Sequence, residues 1–241
     1  EDLRAGNLHN PYDTAFGKRY YYVERINGVD SMMVNKDPNL QVGTAYKQYD
    51  FNQKIFFNQN HKFHHLLNFQ LSTSSDIPRY DRLTEFSGGN LRFAEWNYGP
   101  QKRLMTSYQF KHYSGRGLVY NKAVVTVAYQ DIDQQRVSRR FNNKFRTDQQ
   151  EHVSVFSLNA DFDKRLGSKH TLRFGGEITH NIVTSEAKLI NIVADTSSAT
   201  GTRYPDGGST MSTAAAYVTH TFAINDKLTL NEGIRLSLVN L

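Results

Sequence analysis

The chain has 241 residues, a formal net charge of +6 and no cysteine, which excludes disulfide frameworks, thiolate metal sites and a cysteine nucleophile. Only 38% of it is hydrophobic, yet it carries 14 Tyr and 15 Phe, too many aromatics for a globally disordered chain. No run approaches the roughly 18–20 apolar residues of a spanning helix, whereas a membrane-spanning strand needs only every second residue apolar.

Glu1-Asp2-Leu3-Arg4 lacks the basic-then-apolar opening of a signal peptide, so an exported protein would be represented here by a mature or internal segment. A weak strand signal near the N-terminus precedes about eight clear ones. Segments 42–57 and 62–73 flank Asn58-Gln59-Asn60-His61. Segments 101–112 and 122–132 flank a short connection containing Ser114-Gly115-Arg116-Gly117. The period of two is plainest in 150–165 and 169–184. Phe156, Leu158, Ala160 and Phe162 alternate there with Ser157, Asn159, Asp161 and Asp163. After Leu166-Gly167-Ser168 the chain returns with Leu172, Phe174, Gly176 and Ile178 apolar, against Thr171, Arg173, Glu177 and Thr179. Strand side chains alternate between faces, so this is a ribbon with one apolar and one polar surface. Segments 212–224 and 228–241 complete the series around Asn225-Asp226-Lys227. Asn, Asp, Gly and Ser tolerate the backbone angles that such turns need.

The other connections, 74–100, 133–149 and 185–211, are long, so short and long alternate. Outer-membrane barrels have short periplasmic turns and long extracellular loops, and about 9–11 residues suffice for a tilted span. Soluble domains disfavour several structureless loops of this length. Phe56, Phe57, Phe63, Tyr113, Tyr120, Phe162 and Phe222 lie beside short turns, where a barrel places its aromatic girdle. The expected fold is therefore all-β, an antiparallel transmembrane β-barrel segment of about 8–9 strands from a larger barrel. A hairpin centred on Gly167 puts Asp161 opposite Arg173 on the lumen side. The last hairpin puts His220 opposite Glu232 on the lipid side, where the two polar groups satisfy one another. A bulge near Gly233 that turns Glu232 inward is the competing arrangement.

Loop 74–100 is the best recognition candidate. Arg79, Tyr80, Arg82, Trp96 and Tyr98 combine cationic and aromatic groups suited to anionic or aromatic ligands, although a Pro-anchored loop can equally pack its own aromatics. Asp76, Asp81, Glu85 and Glu95 read as solvated loop charge. His61, His64 and His65 crowd the first short turn, away from a ligand mouth, and adjacent strand residues face opposite ways. His112 and His170 read as polar residues near turns, while His152 and His180 are placed nearer the extracellular side and are better candidates for ligand contact. The basic cluster Arg136, Arg139, Arg140, Lys144 and Arg146 reads as a solvated or lipopolysaccharide-facing loop, not a nucleic-acid site. No catalytic residue, cofactor or metal site is assigned.

Two segments resemble TonB-dependent outer-membrane receptors, especially those of Bacteroidota: Ser72-Thr73-Ser74-Ser75-Asp76-Ile77-Pro78-Arg79-Tyr80-Asp81-Arg82-Leu83-Thr84-Glu85 and Leu91-Arg92-Phe93-Ala94-Glu95-Trp96-Asn97-Tyr98-Gly99-Pro100-Gln101. Gln41-Val42-Gly43-Thr44-Ala45-Tyr46, Ser157-Leu158-Asn159-Ala160-Asp161-Phe162 and Tyr204-Pro205-Asp206-Gly207-Gly208-Ser209 add more generic barrel text. The nearest look-alikes are haem and ferric-siderophore receptors, although Asp37-Pro38-Asn39-Leu40 matches a haem-receptor motif only in part. The resemblance implies a non-enzymatic outer-membrane receptor that takes up an iron chelate, haem or a similar small ligand. It also implies a plug domain that contacts the TonB complex, outer-membrane lipid around the wall, and no nucleic acid. Residues 1–241 would be part of the barrel, with the plug and C-terminal strands elsewhere. The alternatives are a passive porin-like barrel and a soluble carbohydrate-binding β-sandwich.

Overall fold

A computed structural model describes residues 1–5, 17–115, 117–205 and 207–241. Arg116 of the second short turn and Asp206 of the last receptor-like segment lie outside the described residues. Eight strands form the wall: β1 Gln48–Asn58, β2 Phe63–Ser74, β3 Lys102–Tyr113, β4 Lys122–Arg140, β5 Phe145–Leu166, β6 His170–Asn191, β7 Ser209–Asn225 and β8 Leu228–Asn240. Each pairs antiparallel with the next, so chain order and sheet order coincide. The outer edges of β1 and β8 are free among the described residues.

Cross-strand partners share a face, so the register gives the two surfaces directly. One row runs Ile55, Leu67, Tyr108, Val127, Leu158, Ile178, Ala214, Leu238 across all eight strands. Every member is apolar or aromatic, and all but Ala214 are exposed. Among the described residues, no second sheet covers this face. The opposite face carries the charges: Lys122 Nζ and Arg173 Nε lie 3.2 and 3.4 Å from Asp163, and Arg235 pairs with Glu177.

The long connections differ from expectation. β4 runs for 19 residues and β5 and β6 for 22 each, so 133–149 and 185–191 are mostly strand. Their side chains are polar on both faces, which removes the alternation that marks a strand in sequence. Asn142, at φ 55°, reverses the chain between β4 and β5. The first wall strand begins at Gln48, not 42; Leu40–Gln41 pairs with Leu3–Arg4 instead. Near the N-terminus Tyr21–Ile26 and Val29–Val34 form a hairpin closed by Asn27-Gly28, both at positive φ, the two-residue turn that suits strand twist.

The register also corrects two side-chain assignments. Leu166 faces His170, so Gly167 begins a three-residue turn instead of centring it, and Arg173 lies opposite Asp163, not Asp161. Asp161 instead accepts a hydrogen bond from Tyr217, whose ring crosses Gly175 to reach it. A side-chain carbon at Gly175 would collide with that ring. Of the girdle residues, Phe57, Phe63, Tyr120, Phe162 and Phe222 belong with the apolar face, in a line of ring contacts that includes Phe63–His112, Tyr120–Phe162 and His170–Phe222. Phe56 and Tyr113 lie on the polar face, both against His64, because each is one residue out of phase with the apolar row. His220 Nδ1 meets Glu232 Oε1 at 3.0 Å on the apolar face, as the sequence predicts, and the bulge falls at Ala223–Asn225, not near Gly233.

Candidate functional site

Loop 74–100 is built on β4. Beyond Lys102, the first residue of β3, Phe93–Tyr98 takes over its place beside β4, pairing Trp96 with Ser138 and Tyr98 with Arg136. Ile77–Pro78 adds outside Asn97–Tyr98, followed by one helical turn, Tyr80–Leu83. Leu83, Leu91 and Trp96 are buried, so this loop has a small apolar core that the single-layer wall lacks.

Of the five candidate residues, three come together. Trp96 and Tyr98 meet edge to face at 4.9 Å. The Arg79 guanidinium stands 4.7 Å from the Trp96 centroid and 5.8 Å from that of Tyr98. Arg79 Nε donates to both Asp81 oxygens, at 2.9 and 3.1 Å, and that hydrogen bond holds the guanidinium's pKa above its ordinary value. The other two turn elsewhere. Tyr80 donates to the Gly17 carbonyl and lies under Arg19, and burial pushes its hydroxyl up. Arg82 is taken up by Glu85. Asp81, Glu85 and Glu95 are likewise ion-paired, so they are not simply solvated loop charge.

Arg136, read from sequence as part of a solvated or lipopolysaccharide-facing basic loop, joins this group instead. Its guanidinium is 5.6 Å from Trp96 and 5.4 Å from Tyr98, so two arginines flank one aromatic pair. Among the described residues it has no carboxylate partner, and its Nε is buried without a hydrogen bond. Two residues further along a strand means the same face, but this region reads as loop, so its face could not be assigned. Below lies a hollow of about 430 Å³ on the polar face, lined by Gln48, Asp50, Gln70, Ser72, Arg103 and Gln134, with Ile77 and Gln101 at its upper end. Ser72 and Gln48 donate to Asp50 at 2.6 and 2.9 Å, and Arg103 donates to Gln130 at 2.7 Å.

The basic cluster is solvated only in part: Arg140 and Lys144 are exposed, but Arg139 is not. Arg139 is buried between Asp30 of the N-terminal hairpin and Glu95 of loop 74–100. Burial alone would push the Asp30 carboxyl up, but hydrogen bonds from Arg139, the Asn142 amide and Arg25 outweigh it and hold the pKa below the usual carboxylate range. His152 and His180 also depart from expectation. Both lie in phase with the apolar row and face away from the hollow, because register and not height along the strand decides direction.

Residues 99–241 match the outer membrane protein β-barrel family. The chain belongs to that family. The barrel wall therefore lies in the outer membrane: its exposed apolar row faces lipid, its charged face the lumen, and its long extensions the outside. A soluble sandwich is overturned, since a lone sheet with an uncovered apolar face needs lipid as its second layer. Among solved structures the barrel is similar to the copper transporter OprC, with a TM-score of 0.63 and 14% identity over 80% of this chain and 28% of that one. The siderophore receptor PiuA from Acinetobacter baumannii gives 0.43 and 12% over 80% and 39%. The chain thus spans well under half the length of either structure. A search of curated proteins finds no match.

Proposed function

We propose that this chain is part of the wall of a TonB-dependent transport receptor, non-enzymatic, that captures a small anionic ligand such as a ferric siderophore or haem at its outer mouth. The observation that carries this reading is the pair Arg79 and Arg136, both within 5.8 Å of the Trp96 and Tyr98 ring centroids, above a polar hollow. Arg79 shares its charge with Asp81, but Arg136 has no carboxylate partner among the described residues, and rings that hold a guanidinium without neutralising it leave it able to bind an anion. The plug and the TonB-contacting segment would lie outside residues 1–241.

The test is uptake by cells expressing the full-length protein, with haem and a panel of ferric siderophores as probes. Replacing both Arg79 and Arg136 with Gln should lower uptake of the cognate chelate about tenfold or more, since a hydrogen bond to a charged group is worth about 1.5–3 kcal/mol. Import should cease when the proton-motive force is collapsed. Passive permeation that ignores both changes would establish the porin-like barrel instead.

A further inference from the structure

Asp131, Asp133 and His152 form a second constellation, in phase with the lipid-facing row, and Asp133 also borders the hollow. Asp133 and His152 are direct cross-strand partners on β4 and β5, and Asp131 is two residues further along the same face, opposite Ser154. The position is just beyond Tyr129 and Phe156, whose rings, 4.9 Å apart, end the apolar series on these strands. One ligand atom from each of the three residues lies within 4.8 Å of the others.

The imidazole sits between two carboxylates. His152 Nδ1 is 2.8 Å from Asp133 Oδ1, and Nε2 is 3.4 Å from Asp131 Oδ2. A neutral imidazole carries one N–H and can donate to only one of them. Tyr129 donates to Asp131 Oδ2 at 2.8 Å and fixes that carboxylate. What marks this group is an imidazole held between two carboxylates; some other carboxylates are balanced by a cation, while Asp50 and Asp161 are not among the described residues. Asp163 has Lys122 and Arg173, Glu177 has Arg235, and Glu95 has Arg139. Among the described residues, neither Asp131 nor Asp133 has a Lys or Arg partner. Two carboxylates therefore converge with only an imidazole between them, on strands too long and well paired to splay.

We infer that Asp131, Asp133 and His152 bind a divalent cation of the zinc type at the outer rim of the lipid-facing wall. Two carboxylate oxygens and an imidazole nitrogen suit a borderline cation, whereas calcium and magnesium favour oxygen alone. Donors around tetrahedral zinc stand about 3.4 Å apart for bonds of about 2.0–2.2 Å, which is the separation already present between Nε2 and Asp131; Asp133, now at Nδ1, has to turn its carboxylate to join them. Three protein donors leave a fourth position open to water. The site does not depend on the transport reading, because its three side chains are in phase with the lipid-facing row and not with the arginine and aromatic cluster above the hollow.

The experiment titrates Zn²⁺ into chelator-stripped full-length protein in detergent, by calorimetry, with X-ray absorption on the loaded sample. Wild type should take one equivalent with a nitrogen in its coordination shell. His152→Gln and the double variant Asp131→Asn/Asp133→Asn should each weaken binding by at least the roughly 10–100-fold that losing a mere supporting partner costs. His180→Gln, which removes another lipid-side histidine, should bind as wild type; so should a sample checked for intact heat-modifiable mobility. Binding that survives in His152→Gln, or equal binding of Ca²⁺ and Zn²⁺, would mean carboxylate screening and overturn the site, as would no binding in the wild type.

Discussion

Asp30 and Arg139, 109 residues apart, meet in a fully buried bidentate ion pair, Nη1 to Oδ2 at 2.6 Å and Nη2 to Oδ1 at 3.0 Å. The Asn142 backbone amide donates to the same carboxylate at 2.8 Å, and Arg139 Nε reaches Glu95 at 2.7 Å. One guanidinium thus ties the N-terminal hairpin, the tip of β4 and loop 74–100 into one extracellular cap. Replacing Arg139 with Met leaves Asp30 only Arg25 and the Asn142 amide and should cost up to about 3–5 kcal/mol. The cap is expected to open while the wall stays folded. Hydrogen exchange should then rise across Tyr21–Val34 and not in β5 or β6; unchanged protection in the hairpin would refute the tie.

The same pair sets a pH dependence. Because the folded Asp30 pKa lies below its unfolded value, the carboxylate contributes stability that is complete above about pH 4 and lost as pH falls through the lowered folded value. Cleavage of the hairpin by an acid-active protease should therefore begin only below the ordinary Asp range. Release that already starts near neutrality would require another group.

Tyr217 and Asp161 offer a test within the lumen. Tyr217→Phe removes the only side-chain hydrogen bond to the Asp161 carboxylate among the described residues and should cost about 1 kcal/mol. Gly175→Val should cost more, since its side chain occupies the space the Tyr217 ring crosses. Urea unfolding of the full-length protein in detergent, followed by gel mobility, reads both. If Gly175→Val proves neutral, the ring does not lie over the glycine.

On the lipid face, His220 and Glu232 compensate each other, with His170 Nδ1 a further 3.0 Å from His220 Nε2. His220→Leu should leave Glu232 facing hydrocarbon and cost about 1–2 kcal/mol. The double variant His220→Leu/Glu232→Leu should recover most of that loss, with a coupling of about 0.5–3 kcal/mol. Additive effects in the same unfolding assay would show that the two act alone.

The wall was legible because lipid reads one face only. Alternation at Phe156–Phe162 and Leu172–Ile178 is a local property, so strands, faces and short turns follow from neighbours in sequence. Where both faces meet water, as along Gln134–Arg140 and Glu186–Lys188, no such contrast exists, and strand reads as loop. The candidate site was legible as a loop and as residue types, with Arg79, Trp96 and Tyr98 assembling as their chemistry suggests. Arg136 was lost with the strand that carries it.

Sequence alone determined the class of protein: an amphipathic meander whose apolar face demands lipid, and the His220–Glu232 pairing that makes its polar exceptions tolerable. Tertiary structure decided everything that depends on register or on distant partners. A turn beginning at Gly167, not centred there, moved Arg173 from Asp161 to Asp163. Asp30 found Arg139, and Asp133 found His152, across intervals no local pattern encodes. Alternation fixes which face a residue takes, but only the pairing of strands fixes what it meets there.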